Sequence, residues 1–199
     1  MIDDSSHRKS VAAMTKSNLI KSIPNILTTA NMLCGLTAVI ILIQTEFPGN
    51  KLFAAGLIVF GGIIDFFDGF LARRLKASSE LGKQLDSFAD LVTFGIAPFC
   101  MLHHMAIYEQ SIVIAISSFA FLIAGVYRLA RYNTGNFSRH FMGLPITAAG
   151  MLLAIYCALH ASWASHLHHI ACVTITTVLI LLLSAAMVSR VKVKKPEGL

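Results

Sequence analysis

Four of the ten acidic residues, Asp65, Asp68, Asp86 and Asp90, stand close together where most neighbours are apolar. The pairs are spaced i,i+3 and i,i+4, so on helices each pair shares one face. Four carboxylates gathered in a low-dielectric setting cannot all stay ionised without positive charge between them. An all-oxygen donor set without His or Cys selects a hard cation, Mg²⁺, Mn²⁺ or Ca²⁺, and four acids suffice for two ions. Two such ions can neutralise a diphosphate and stabilise the attacking and leaving oxygens of phosphoryl transfer. Gly69, Ala72 and Gly82 would let a bulky substrate approach the backbone, and Arg73 can pair with a phosphate in forked geometry. Two alternatives stand beside this chemistry. A single membrane aspartate often serves as a structural hydrogen-bonder, and ion-coupled carriers also use buried acids.

The elements that must hold these acids are membrane helices. The chain has 199 residues, 56% in the AVILMFWYC class and 13% charged, with a mean hydropathy of +0.71. A soluble domain is about 25% charged, and these proportions exclude a soluble core, a disordered chain and a secreted disulfide scaffold. Six spans of about 20 apolar residues are expected at 23–44, 52–71, 85–102, 112–130, 143–159 and 170–188. Fifteen of the sixteen Lys and Arg residues then fall on one side, leaving Lys51 alone on the other. The positive-inside rule makes the basic side cytoplasmic and puts both termini there. The net charge of +6 thus reports topology and anionic lipid, and nucleic acid is not expected as a partner. Measured from Arg73 and Gly82, Asp68 and Asp86 lie about 6–8 Å deep and Asp65 and Asp90 about 12 Å deep. A site in the cytoplasmic third favours an enzyme over a carrier, whose sites lie near the midplane.

Residues 1–22 are expected to be a loose cytoplasmic tail, with at most a short interfacial helix around 17–23, and not a signal peptide. Residues 23–189 would form the six-helix catalytic domain and 190–199 a basic cytoplasmic tail. The absence of a transit peptide suits a plasma or inner membrane. Cys34, Cys100, Cys157 and Cys172 lack CxxC spacing and suit buried packing. His103, His104, His160, His166, His168 and His169 fall on the outer side with Trp163, and suit an interfacial joint better than a metal site. Pro98 and Pro145 are expected to kink or start helices, and Gly56, Gly61 and Gly62 to allow close packing in the second helix.

In chain order the site residues spell Asp65-x2-Asp68-Gly69-x2-Ala72-Arg73-x8-Gly82-x3-Asp86-x3-Asp90. This resembles, without a mismatch, the motif of the CDP-alcohol phosphotransferase family of membrane enzymes. Eight fixed positions at roughly one in fifteen each put a chance match on the order of 10⁻⁹ per start point. The resemblance implies an all-α integral membrane fold of six transmembrane helices with a cytoplasm-facing site. It implies that Asp65, Asp68 and Asp86 are metal ligands and that Asp90 is both a ligand and the general base. It also implies a CDP pocket lined by Asp68, Gly69, Ala72, Arg73 and Gly82, with Asn25, Thr28 and Asn31 of the first helix nearby. For those three, capping and interhelical hydrogen bonding are equal alternatives. A cofactor of Mg²⁺ or Mn²⁺, as two ions, and a homodimer follow from the resemblance alone.

Four further blocks resemble the phosphatidylserine synthase branch of the family. They are IPNILT at 23–28 with Asn31, SFADLVTFGIAP at 87–98, YRLARYN at 127–133 and FMGLPITAA at 141–149. The last has Thr147 where a second proline is expected. The branch implies transfer of the phosphatidyl group from CDP-diacylglycerol to L-serine with release of CMP. Sister enzymes acting on glycerol 3-phosphate or an inositol phosphate share the aspartates, and their acceptors would demand more basic residues. Arg128 and Arg131, at i and i+3, can hold the serine carboxylate or a lipid phosphate, or can only anchor the helix at the headgroups. Asn133 or Thr93 can serve the amine or hydroxyl, and Arg139 suits an anchor.

Overall fold

A computed structural model of the chain describes residues 4–44, 49–75, 79–105, 111–134, 141–164, 168–189 and 192–193. Seven α-helices account for most of it: α1 (Asp4–Gln44), α2 (Asn50–Arg74), α3 (Glu80–Asp90), α4 (Ala97–His103), α5 (Ile112–Thr134), α6 (Ile146–Ala164) and α7 (His169–Val188). Five helical stretches are long and apolar enough to cross a membrane: Ile23–Gln44, Asn50–Arg74, Glu80–His103, Ile112–Thr134 and His169–Val188. The sixth expected span is a shorter apolar helix, Ile146–His160. Their many exposed Leu, Ile, Val and Phe side chains are what helices facing hydrocarbon present, since lipid leaves no driving force to bury them.

Three expectations are corrected. Residues 4–22 are not a loose leader: α1 is continuous from Asp4 and carries Pro24 inside it. This segment has no glycine and no proline to interrupt it before Pro24, so helix propagates through it. The third span is not one regular helix, because a π-helical segment, Leu91–Ile96, separates α3 from α4. The all-α class holds, and the one departure from helix is small: two-residue strands β1 (Phe141–Met142) and β2 (Lys192–Val193) pair antiparallel. Finally, a side chain at Gly56 would meet nothing within 4 Å among the described residues, so that glycine makes no close packing with them.

Small residues elsewhere set how closely the helices approach. A Cβ at Gly61 would strike Asn31 and Thr93, one at Gly62 would strike the Met151 sulfur, and one at Gly150 would collide with the Phe94 backbone. These three glycines let α2 approach α1 and α6, and let α6 pack on the π segment. The core runs through Ala38, Ile58, Phe94, Met101, Phe121, Leu153 and Ile180, all fully buried. Pro98 lies in the first turn of α4, directly after the π segment. Pro145 immediately precedes α6.

The connection ahead of α6 is fastened to the end of α7. Gly143 has φ +72°, a left-handed conformation that a side chain resists, and is packed against the carbonyls of Ala186, Met187 and Ser189. Leu144 N–H donates to the Ala186 carbonyl at 3.0 Å. Arg139, His166, and the side chains of Trp163 and of the basic C-terminal residues lie outside the described residues.

Candidate metal and nucleotide site

Two helices bring the acids together. α2 delivers Asp65 and Asp68 in its last turns, and α3 delivers Asp86 and Asp90 before the π segment begins. α3 starts cleanly because Ser79, extended at φ −126° and ψ 157°, accepts a hydrogen bond from the Gly82 N–H at 3.0 Å through its hydroxyl. Glu80 in the first turn suits the helix dipole and pairs with Lys83 at 3.0 Å.

One carboxylate oxygen from each of Asp65, Asp68 and Asp86 lies within 4.8 Å of the other two. Asp90 reaches the same cluster, with its carboxyl in hydrogen-bonding range of Asp65. The Asp90 Oδ1 is buried without a partner among the described residues. At an effective dielectric of about 20, each ionised pair at this separation repels by at least about 3 kcal/mol. Three such pairs would rival the whole stability of a typical domain, so the cluster calls for compensating positive charge. All the donors are oxygen, without His or Cys, and this set fits a hard divalent cation. Two hydroxyls from outside the α2–α3 pair hold single carboxylates. Thr28 donates to Asp68 Oδ2 at 2.8 Å and has the Pro24 carbonyl at 3.0 Å, and Thr147 donates to Asp65 Oδ2 at 3.3 Å.

Two cavities border this cluster. The smaller, about 100 Å³, is lined by Asn25, Thr28, Ala72 and Ser79. The larger, about 660 Å³, is lined by Asp65, Asp90, Arg73, Arg128, Tyr132, Asn133 and Thr147 among others. Asp68, Gly69, Lys83 and Asp86 border both. Among the described residues a Cβ at Gly69 would meet only the Arg73 guanidinium, at 3.7 Å, so this glycine keeps the shared wall low rather than packing two helices. Gly82 faces Asn25, whose Oδ1 would stand 3.2 Å from an added Cβ in the smaller cavity.

The remaining candidates separate. Arg128 is buried, lines the larger cavity and lays its guanidinium 4.8 Å from the Tyr132 ring centre, a cation–π arrangement. Its Nε has no hydrogen-bond partner among the described residues. Arg131 turns instead to the end of α7, donating to the carbonyls of Val188 at 3.1 Å and Ser189 at 3.5 Å. That is the C-terminal capping an arginine does well, and Arg131 does not line the larger cavity. Thr93 is fully buried in the π segment and donates to the Asn31 carbonyl at 2.9 Å, away from both cavities. Asn31 is itself fully buried, and neither of its side-chain amide atoms has a partner among the described residues. Asn133 lines the larger cavity and donates to the Ser87 hydroxyl at 3.0 Å.

Ser87, Lys83, Tyr132 and Thr147 line the site although the sequence did not single them out for it. Tyr132 had a signal, its i+4 spacing from Arg128, and Ser87 directly follows Asp86. Thr147 had none beyond standing where a proline is expected.

Residues 21–191 match the family model described as CDP-alcohol phosphatidyltransferase. The chain is 39% identical over 135 residues to a CDP-diacylglycerol–serine O-phosphatidyltransferase of Bacillus subtilis, covering 67% of this chain and 73% of that one. It is 32% identical over 176 residues to the enzyme of the same name from Methanocaldococcus jannaschii, covering 88% of this chain and 75% of the other. An archaetidylserine synthase of Methanothermobacter thermautotrophicus is 27% identical over 139 residues, covering 68% of this chain and 57% of that protein. With its motif aspartates converged on the wall of one large cavity and the family model matched over most of its length, the chain belongs to the CDP-alcohol phosphatidyltransferase family.

Proposed function

We propose that the chain transfers the phosphatidyl group of CDP-diacylglycerol to the hydroxyl of L-serine and releases CMP. The observation that carries this is the carboxylate cluster shared by two cavities, one small and one large enough for an acceptor beside a lipid phosphate. Asp65, Asp68, Asp86 and Asp90 would hold divalent metal, Mg²⁺ or Mn²⁺, as two ions. Bound there, the metal supplies charge neutralisation for the diphosphate and for the oxygens that gain charge as the phosphoryl group moves.

The chain's own groups do the rest. Asn25, Thr28, Gly69, Ala72 and Gly82 shape the smaller cavity for the cytidine end, and Arg73 pairs with phosphate. Arg128 receives the serine carboxylate in the larger cavity, where its cation is partly desolvated and a charge-assisted hydrogen bond is strong. Asn133 and Ser87 offer an oxygen acceptor to the serine ammonium. Asp90 accepts the proton of the serine hydroxyl as that oxygen bonds to phosphorus and the bond from phosphorus to the CMP oxygen breaks. An aspartate is a weak base for an alcohol, so the reaction depends on stabilising the alkoxide as it forms.

The catalytic unit, residues 23–189, spans the membrane six times with both termini and the site on the cytoplasmic side, because the Lys and Arg residues gather there. Homodimerisation follows from family resemblance. Incubating purified protein with CDP-diacylglycerol and each alcohol in turn, and measuring CMP release, tests the assignment. Release with serine is expected. Release with glycerol 3-phosphate but not serine would overturn the acceptor, and release with no alcohol would overturn the activity.

A further inference from the structure

We propose that Thr147 is a positioning residue for Asp65, fixing the direction in which that carboxylate presents its other oxygen to metal; this rests on the metal-dependent function above. Thr147 sits in the first turn of α6, and its hydroxyl donates to Asp65 Oδ2 at 3.3 Å across to α2. The alignment of these two helices is set independently one turn further on. Gly62, three residues before Asp65, packs against the sulfur of Met151, four residues after Thr147. A side chain at Gly62 would push the helices apart there, so the pairing of 62 with 151 enforces the pairing of 65 with 147.

The first turn of α6 is also held from its other sides. Ile146 is buried, with its Cδ1 against Gly125 and Gly95. Gly150 packs on the Phe94 backbone, and Leu144 is bonded to Ala186. The hydroxyl therefore reaches Asp65 from a braced element and loses little rotational freedom on bonding. A carboxylate with one oxygen occupied in this way offers the other in a defined direction, and such outer hydrogen bonds typically govern metal affinity by about 10- to 100-fold. A proline at this position could make no such bond.

Mn²⁺ binding to the purified protein in detergent, read from the paramagnetic resonance signal of the free ion without substrate, tests the assignment. Thr147→Val, which keeps the shape and removes the donor, is expected to raise the Mn²⁺ dissociation constant about 10-fold, and Thr147→Ser to stay within about 2-fold of the parent. Thr147→Ala supplies the same donor deletion if the valine protein does not fold. A donor-less variant that binds Mn²⁺ like the parent overturns the proposal. So does a serine variant as weak as the valine one, which would assign the effect to packing. A parent protein that binds no Mn²⁺ would overturn the metal site itself, a separate outcome.

Discussion

The two ends of the helix bundle both carry polar side chains in apolar helices, and they resolve them differently. At the end away from the acids, Asn50 is buried and its amide pairs with His104 at 3.1 Å. Tyr156 and Thr176 share a hydrogen bond at 2.5 Å. These are neutral donors and acceptors that satisfy one another, as buried polar groups ordinarily do. At the acid end, carboxylates face carboxylates, and no rearrangement of acceptors alone can satisfy them. Two threonine hydroxyls each take up one oxygen, and the cluster of carboxylates still calls for something positive. Polarity inside a membrane bundle is thus a weak pointer to function. Polarity that the protein cannot neutralise from its own resources is a strong one.

The contrast can be broken most severely at Asp90. Asp90→Asn is expected to lower serine-dependent CMP release by about 10²- to 10⁴-fold, the usual worth of a general base, while CDP-diacylglycerol still binds. Turnover and equilibrium binding measured on the same preparation check this. Removing divalent ions with EDTA should likewise abolish release, with Mg²⁺ or Mn²⁺ restoring it. Next in size is Arg128→Gln, expected to raise the KM for serine by about 10- to 100-fold, as befits a lost charge-assisted hydrogen bond. Steady-state kinetics over a serine range would show it, and an unchanged KM would remove Arg128 from the acceptor pocket.

Smaller effects test the frame and the opposite end. Gly150→Val inserts atoms where the Phe94 backbone already stands, and overpacking of this kind costs about 1–3 kcal/mol. A lowered thermal midpoint in detergent is the readout. Asn50→Ala should cost about 1 kcal/mol of stability through its lost hydrogen bond. CMP release from the folded Asn50→Ala protein should stay within about 2-fold, since this bond lies away from the chemistry. A large loss of activity there would erase the distinction between the two ends.

The acids are legible in the sequence because their type is so costly in apolar helices and their spacing keeps each pair on one face. Other features are not. The π segment falls in an unbroken run, Leu91–Ile96, with no proline and with Gly95 the only local punctuation. It is a shift of hydrogen-bond register that the packing of α1 and α6 selects, and residue types carry little trace of it. Arg128 and Arg131 look equivalent at i and i+3, yet one enters the larger cavity and the other binds the end of α7. The rotation of α5 against its neighbours separates them. Thr93 looks available to a substrate and instead bonds to the Asn31 backbone in the core.

Sequence alone determined that the chain is built of apolar helices and that four aspartates fall in two pairs, each on one face of such a helix. These are one-dimensional facts of composition and period, and the physics of a bilayer converts them directly into constraints. Which third and fourth elements complete the site was decided only in the folded molecule. Thr28 of α1 and Thr147 of α6 come to Asp68 and Asp65 because glycines allow the helices to close to a particular distance. That distance depends on pairs of residues far apart in the chain, and spacing along one helix cannot encode it.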